Sequence, residues 1–113
     1  MLDLIIKNGQ CYIDGELKDV DVSVKDGNIQ NIGKITEEAK DIINAKGLTV
    51  LPGCIDTQTH FREPGSTDTE DLHSGGRAAI AGGITAVFEM PNTNPPTSNK
   101  KEFQRKLDLA KNR

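Results

Sequence analysis

The chain has 113 residues, 35% of them apolar, and a formal net charge of −3. That length suits one modest domain, and the charge gives no electrostatic basis for binding nucleic acid or a membrane surface. No apolar run approaches the roughly 18 residues of a membrane span, residues 1–4 lack the basic start of a signal peptide, and the two cysteines lack motif spacing. We therefore expect a cytoplasmic protein with neither nucleic-acid nor membrane partners.

Short strands and tight turns are predicted over residues 1–50. Residues 4–7, which read Leu-Ile-Ile-Lys, form a largely apolar run, and the valines at positions 20, 22 and 24 alternate with polar residues, as in a half-buried strand. Asp14-Gly15 and Asp26-Gly27 are typical hairpin turns, because glycine accepts the positive φ that such turns need. Further short strands are predicted at residues 42–43 and 48–50. The pattern indicates a small antiparallel β unit.

From residue 51 onward the pattern alternates between strands and helices. One strand bends at Pro52-Gly53 and runs to Asp56, and a second, strongly apolar strand covers residues 84–90. Since the connection between them is long enough for a helical crossover, the two strands should be parallel and buried on both faces. Two such βα units cannot close a barrel or cover a sheet, so we expect the sequence to be a fragment of a larger domain.

Two helices are predicted in this half. The first covers about residues 70–81, begins with a capping box over residues 67–70 and stops at Gly82-Gly83. Its interior glycines, Gly75-Gly76, indicate close packing against a sheet. The second helix has Asn99 as its N-cap and presents one apolar face. That face carries Phe103, Leu107 and Ala110.

The residues best able to carry chemistry follow the first of these two strands. Residues 56–62 read Asp-Thr-Gln-Thr-His-Phe-Arg, and sites in α/β sheets form at the carboxyl ends of the strands. If the extended conformation continues, Asp56, Gln58, His60 and Arg62 all project to one side. An arginine beside a histidine at this position is a plausible fork for a substrate carboxylate. Taken alone, Asp56 is equally well explained as a carboxylate that caps a loop.

A second polar segment follows the next strand, at residues 91–94, which read Pro-Asn-Thr-Asn. Asn92 offers both an amide donor and an amide acceptor there. Pro-Asn-Thr by itself is a turn, but its position at the same end of the sheet as His60 favours a functional role. His73 has no partner in the sequence, and we interpret it as a residue on a helix surface.

Two motifs carry a resemblance to a known family. They read PGCIDTQTHFREPG at residues 52–65 and AGGITAVFEMPNTNP at residues 81–95. Over nearly its whole length the chain resembles dihydroorotase, of the cyclic amidohydrolase superfamily. The first half of the chain alone indicates only the superfamily, and FREPG together with MPNT narrows the resemblance to dihydroorotase.

The resemblance implies an α/β fold. Residues 1–50 would form part of a small β-sandwich, and residues 51–113 would form the first two βα units of the (β/α)₈ TIM-like barrel of a metal-dependent hydrolase. Such enzymes interconvert N-carbamoyl-L-aspartate and dihydroorotate in pyrimidine biosynthesis. Their zinc polarises the substrate carbonyl and supplies a hydroxide.

The resemblance also implies roles for four residues. Family members ligate one metal with an H-x-H pair, and His60 matches its second histidine. Gln58 stands in place of the first histidine, and an amide oxygen is a poorer zinc ligand than an imidazole. Arg62 and Asn92 would bind the substrate carboxylate. No catalytic residue is expected within the 113 residues, so the fragment alone should be inactive.

Two alternatives to a dihydroorotase stay open. One is a related allantoinase or hydantoinase, against which Arg62 argues because a neutral ring offers an arginine no carboxylate. The other is a non-catalytic dihydroorotase-like subunit that supports a partner enzyme, and Gln58 favours this alternative. Besides a small-molecule substrate, the expected partners are aspartate transcarbamoylase or further copies of the chain.

Overall fold

The structure, a computed structural model, describes residues 1–113 and divides into two compact units, Met1–Pro52 and Gly53–Arg113. No helix in it is both long enough and apolar enough to cross a membrane. The first unit contains the strands β1 (Leu2–Lys7), β2 (Gln10–Ile13), β3 (Glu16–Asp19), β4 (Asp21–Lys25), β5 (Asn28–Gly33), β6 (Ala39–Asn44) and β7 (Thr49–Val50). The second unit contains β8 (Cys54–Thr59), α1 (Leu72–Ala81), β9 (Ile84–Glu89) and α2 (Lys100–Ala110).

Two sheets make up the first unit. One has the strand order β5-β4-β1-β6, and the other has the order β3-β2-β7. The hairpins β2–β3 and β4–β5 turn at Asp14-Gly15 and Asp26-Gly27, and all four of these residues have positive φ. Positive φ at both central residues defines the type I′ turn that suits a two-residue hairpin. Both predicted turns are therefore confirmed.

The prediction of a purely antiparallel β unit is wrong. β1 pairs in parallel with β6, with Leu4 opposite Asp41, and β2 pairs in parallel with β7. A hairpin turn determines only the pairing of the two strands that it joins. Parallel partners lie far apart in the sequence, so local turn residues carry no information about them.

The apolar core lies in the first unit. Ile5 is fully buried and packs with Leu2 and Ile35. Cys11, Val22 and Ala45 of the same unit are also buried. In the second unit the buried apolar side chain is that of Pro64, whereas Ile55 and Phe88 on its strands are 58% and 60% exposed.

The second unit has the predicted β-α-β-α order. β8 and β9 pair in parallel, with Cys54 opposite Ile84 and Asp56 opposite Val87, and α1 is their crossover. The predicted bend at Pro52-Gly53 separates β7 from β8, which belong to different sheets.

α1 begins later than predicted, with a different cap. Its N-cap is Asp71, whose carboxylate accepts a hydrogen bond from the backbone N–H of Ser74 at 2.7 Å. The hydroxyl of Ser74 accepts one from the backbone N–H of Asp71 at 3.1 Å. This reciprocal pair satisfies N–H groups that the first helical turn leaves free. The capping box predicted from Thr67 and Glu70 is therefore wrong.

The other predicted helix ends are confirmed. α1 stops at Gly82-Gly83, and Gly83 has a φ of 82°. The side chain of Asn99 caps α2 by accepting a hydrogen bond from the backbone N–H of Glu102 at 3.0 Å.

Candidate functional site

The candidate site lies in the second unit, where β8 and β9 end. Their last residues, Thr59 and Glu89, face each other in the parallel pair. The backbone N–H of Met90 donates to the carbonyl oxygen of Thr59 at 2.8 Å, so the two segments remain hydrogen-bonded at the ends of the strands. The polar segments that follow β8 and β9 therefore start from the same edge of the sheet.

His60 and Asn92 meet at this edge. Nδ1 of His60 lies 3.0 Å from Oδ1 of Asn92, across a separation of 32 residues in the sequence. An amide oxygen can only accept a hydrogen bond, so Nδ1 carries the proton and donates it. In the neutral imidazole the free lone pair is then on Nε2. Nε2 is thus the atom of His60 that can ligate an ion or accept a proton.

The contact also limits what Asn92 can do. Its Oδ1 is occupied by His60, whereas its Nδ2 forms no hydrogen bond within the protein. Nδ2 keeps two N–H donors, which suit an oxygen atom of a substrate. The role of Asn92 as a carboxylate binder stays a prediction.

Arg62 is exposed and takes part in none of the ion pairs of the chain. Its guanidinium is therefore available to an anion from outside. Its predicted role in binding a substrate carboxylate stays a prediction.

Asp56 and Gln58 do not extend this cluster as the sequence suggested. The carboxylate of Asp56 accepts a hydrogen bond from the backbone N–H of Gln58 at 2.9 Å, which is the loop-capping role. Asp56 pairs with Val87 and Thr59 pairs with Glu89, so β8 advances by three residues where β9 advances by two. One extra residue on a strand is a bulge. Strict alternation therefore fails across this stretch, and the strand ends at Thr59. The regular extended conformation from which Asp56, Gln58, His60 and Arg62 were expected to project to one side is therefore absent.

The side chains present do not form a zinc centre on their own. No group of three or more histidine, cysteine, aspartate or glutamate side chains in the structure could hold a metal ion. His60 supplies one nitrogen, one oxygen of Asp56 accepts from the backbone N–H of Gln58, and Gln58 offers only an amide oxygen. Since zinc sites use three or four protein ligands, no zinc-dependent step follows from these side chains alone.

Glu63 supports the loop after β8, a role that the sequence did not predict. Its side chain is buried, accepting a hydrogen bond from the backbone N–H of Leu72 at 2.9 Å and one from the Arg113 guanidinium at 2.7 Å. Glu63 thereby ties the loop to the first residue of α1, where an anion is favourable next to the helix N-terminus. No signal in the sequence identified Glu63, since its partners lie 9 and 50 residues away.

A second buried contact joins Lys106 of α2 to Glu89 at the end of β9. Helical spacing could have indicated it, because Lys106 lies three residues after Phe103 and four before Ala110, on the apolar face of α2. A lysine in that position needs a buried partner or a route to water. Phe103, Leu107 and Ala110 line a cavity of about 330 Å³ that Glu89 and Lys106 also line.

The comparisons with known proteins identify the class. A model of the amidohydrolase family matches residues 49–111, which is more than half of the chain. The chain therefore belongs to the amidohydrolase family.

Three relatives define the likeness further. An allantoinase of Escherichia coli is 46% identical over 110 residues, which are 96% of this chain and 24% of the allantoinase. L-hydantoinase from Arthrobacter aurescens matches 97% of this chain and 25% of its own length, with a TM-score of 0.85 and 32% identity. N-acyl-D-glutamate deacylase from Bordetella bronchiseptica, solved with zinc and a phosphonate inhibitor, matches 76% of this chain and 18% of its own, with a TM-score of 0.61 and 29% identity. The chain thus spans about a quarter of the length of the allantoinase.

These comparisons test the predicted fold class and the predicted family. The predicted fold class, α/β with a β-sandwich part followed by βα units, is confirmed by the match to L-hydantoinase. Membership of the cyclic amidohydrolases is confirmed as well. None of the three relatives is a dihydroorotase, so the narrower resemblance to dihydroorotase gains no support from them.

Proposed function

We propose that this chain belongs to an enzyme that hydrolyses a cyclic amide, such as the rings opened by allantoinases and hydantoinases, and that His60 and Asn92 form part of its active site. The observation that carries the proposal is the 3.0 Å contact between these two side chains where β8 and β9 end. The 46% identity to an allantoinase and the fold match to L-hydantoinase support this class of substrate.

Opening such a ring adds water across the amide C–N bond. The hydroxide adds to the carbonyl carbon, the ring C–N bond breaks, and the remaining proton goes to the leaving nitrogen. In this reaction the Nε2 atom of His60 would ligate an ion or take a proton, because Nδ1 is committed to Asn92. The free Nδ2 of Asn92 would donate to the carbonyl oxygen of the amide under attack, whose negative charge grows as water adds.

Zinc is the cofactor that we expect in the whole protein, as in the deacylase solved with zinc. Within this chain His60 would be its one imidazole ligand. Gln58 is exposed and offers an amide oxygen at most.

A dihydroorotase is the second candidate, and Arg62 is the observation that favours it. An exposed guanidinium without an ion-pair partner, two residues after His60, suits a substrate that carries a carboxylate. The ring of such a substrate would be opened in the same way as that of an allantoin or a hydantoin, so the two candidates differ in what Arg62 binds.

A substrate panel separates the candidates. The natural full-length protein, supplied with zinc, is assayed with allantoin, hydantoin and dihydroorotate, alongside Arg62→Met and a control, Arg77→Met, which alters another exposed arginine. We expect turnover of allantoin or hydantoin that neither variant changes appreciably. Preference for dihydroorotate, with a loss of about tenfold or more in kcat/KM in Arg62→Met alone, would establish the second candidate. No turnover of any ring would contradict both and favour the non-catalytic subunit.

A further inference from the structure

The contact between Glu89 and Lys106 is unusual among the ion pairs of this chain. It is the one pair in which both side chains are largely buried, at 15% and 11% exposed. Taking two charges out of water is expensive, and such pairs often add little to stability compared with apolar residues of similar size. This pair therefore calls for an explanation other than stability.

Its position relative to the candidate site supplies one. Glu89 is the last residue of β9 and faces Thr59, the residue before His60. Lys106 binds the carboxylate of Glu89 and lies 3.5 Å from the carbonyl oxygen of Met90, whose N–H is already bonded to Thr59. Lys106 thus contacts two consecutive residues of the segment that leads to Asn92.

The carboxylate of Glu89 is incompletely bonded. Lys106 binds Oε2, whereas Oε1 is buried without a hydrogen-bond partner, as is the hydroxyl of the facing Thr59. A buried unbonded oxygen is destabilising. Without Lys106, the carboxylate would be more stable in water, and moving there would displace the end of β9.

We propose that Glu89 and Lys106 are a positioning pair, which holds the end of β9 so that Asn92 meets His60 and keeps the proton on Nδ1. The importance of that contact for catalysis rests on the proposed function, whereas the contact itself can be observed without any substrate. Neither residue is assigned contact with the substrate.

The test uses the natural full-length protein labelled with ¹⁵N-histidine. The measured quantity is the rate at which the His60 Nδ1 proton exchanges with water, with its resonance assigned by its loss in His60→Gln. We expect Lys106→Met to speed this exchange about fivefold or more, as loss of one hydrogen bond predicts, and to lower kcat more than it raises KM. Lys40→Met is the control, since it removes an ion pair with Asp3 in the first unit and should leave the exchange unchanged.

A double variant guards against unfolding. Lys106→Met alone leaves the buried carboxylate of Glu89 without its partner, which could unfold the protein. Combining it with Glu89→Gln removes that charge, and the ion pair is still absent. The double variant should fold and still show fast exchange. Wild-type exchange in both variants would overturn the proposal. Fast exchange without turnover of any ring would support positioning while contradicting the proposed function.

Discussion

At the scale of single residues, the chemistry of His60 depends on which nitrogen carries the proton. Asn92 decides this, because its amide oxygen accepts from Nδ1 at 3.0 Å and leaves the lone pair on Nε2. Histidines that bind metals usually have their second nitrogen fixed by such a partner. Asn92 therefore contacts His60 through its Oδ1 atom, and its Nδ2 atom has no hydrogen-bond partner within the protein.

The cap of α1 gives a prediction about pH. The backbone N–H of Ser74, and after it the Ser74 side chain, holds the pKa of Asp71 below its ordinary value of 3.8. A carboxyl whose pKa is lowered by folding stabilises the folded state above the unfolded pKa, and this contribution is lost as the pH falls through the folded pKa. Asparagine caps helices without titrating. We therefore expect the urea midpoint of Asp71→Asn to fall less than that of the wild type between about pH 5 and about pH 3.

Asp68→Asn is the matched control for this measurement, because Asp68 is exposed and its side chain forms no hydrogen bond. Its midpoint should follow the wild type across the same range. If Asp71→Asn also followed the wild type, the cap would not contribute to the acid sensitivity of the fold.

The sequence located the two key side chains but not their contact. His60 and Asn92 could be placed after two neighbouring parallel strands, because strands of this kind end at one edge of a sheet. Which atoms meet depends on the conformation of the two loops. The bulge in β8 shows the same limit, since counting by twos from Asp56 assumes a regular strand that this chain does not form.

At the scale of elements, Gly75 allows α1 to lie against the loop that follows β8. A Cβ at this position would come within 2.6 Å of the Phe61 ring, whereas one at Gly76 would meet nothing within 4 Å. We expect Gly75→Ala to lower the free energy of unfolding by about 1 kcal/mol or more, because overpacking exceeds the gain in helix propensity.

Gly76→Ala is the control within the same helix turn, and it should raise the free energy of unfolding by up to about 1 kcal/mol. Urea denaturation of both variants measures the difference. If the two substitutions stabilised the protein equally, α1 would not be in tight contact with Phe61.

The elements differ in how far local sequence determined them. Both hairpins were predictable, because an Asp-Gly pair adopts the positive φ values of its turn with no help from distant residues. The start of α1 was not, because the spacing at Thr67 and Glu70 and the spacing at Asp71 and Ser74 both suit a cap. Glu63 favours the cap formed by Asp71 and Ser74, because its buried carboxylate accepts a hydrogen bond from the backbone N–H of Leu72.

At the scale of the whole molecule, the two units differ in their packing. The first has a buried core around Ile5, whereas Ile55, Phe88 and Phe103 of the second are each more than half exposed. The class of protein was nevertheless predictable from the second unit, because its two motifs contain the loops at the candidate site. The substrate was not predictable from the sequence. An exposed arginine such as Arg62 suits a substrate that carries a carboxylate, but it does not exclude a neutral ring.

The two histidines of this chain provide a direct test of the proposed active site. His60 contacts Asn92 at the ends of two strands, whereas His73 is exposed on α1 and forms no side-chain hydrogen bond. In the natural full-length protein we expect His60→Ala to lower kcat/KM for allantoin or hydantoin by about 100-fold or more, with His73→Ala close to the wild type. Wild-type kcat/KM in His60→Ala would contradict the assignment of the active site to the carboxyl ends of β8 and β9.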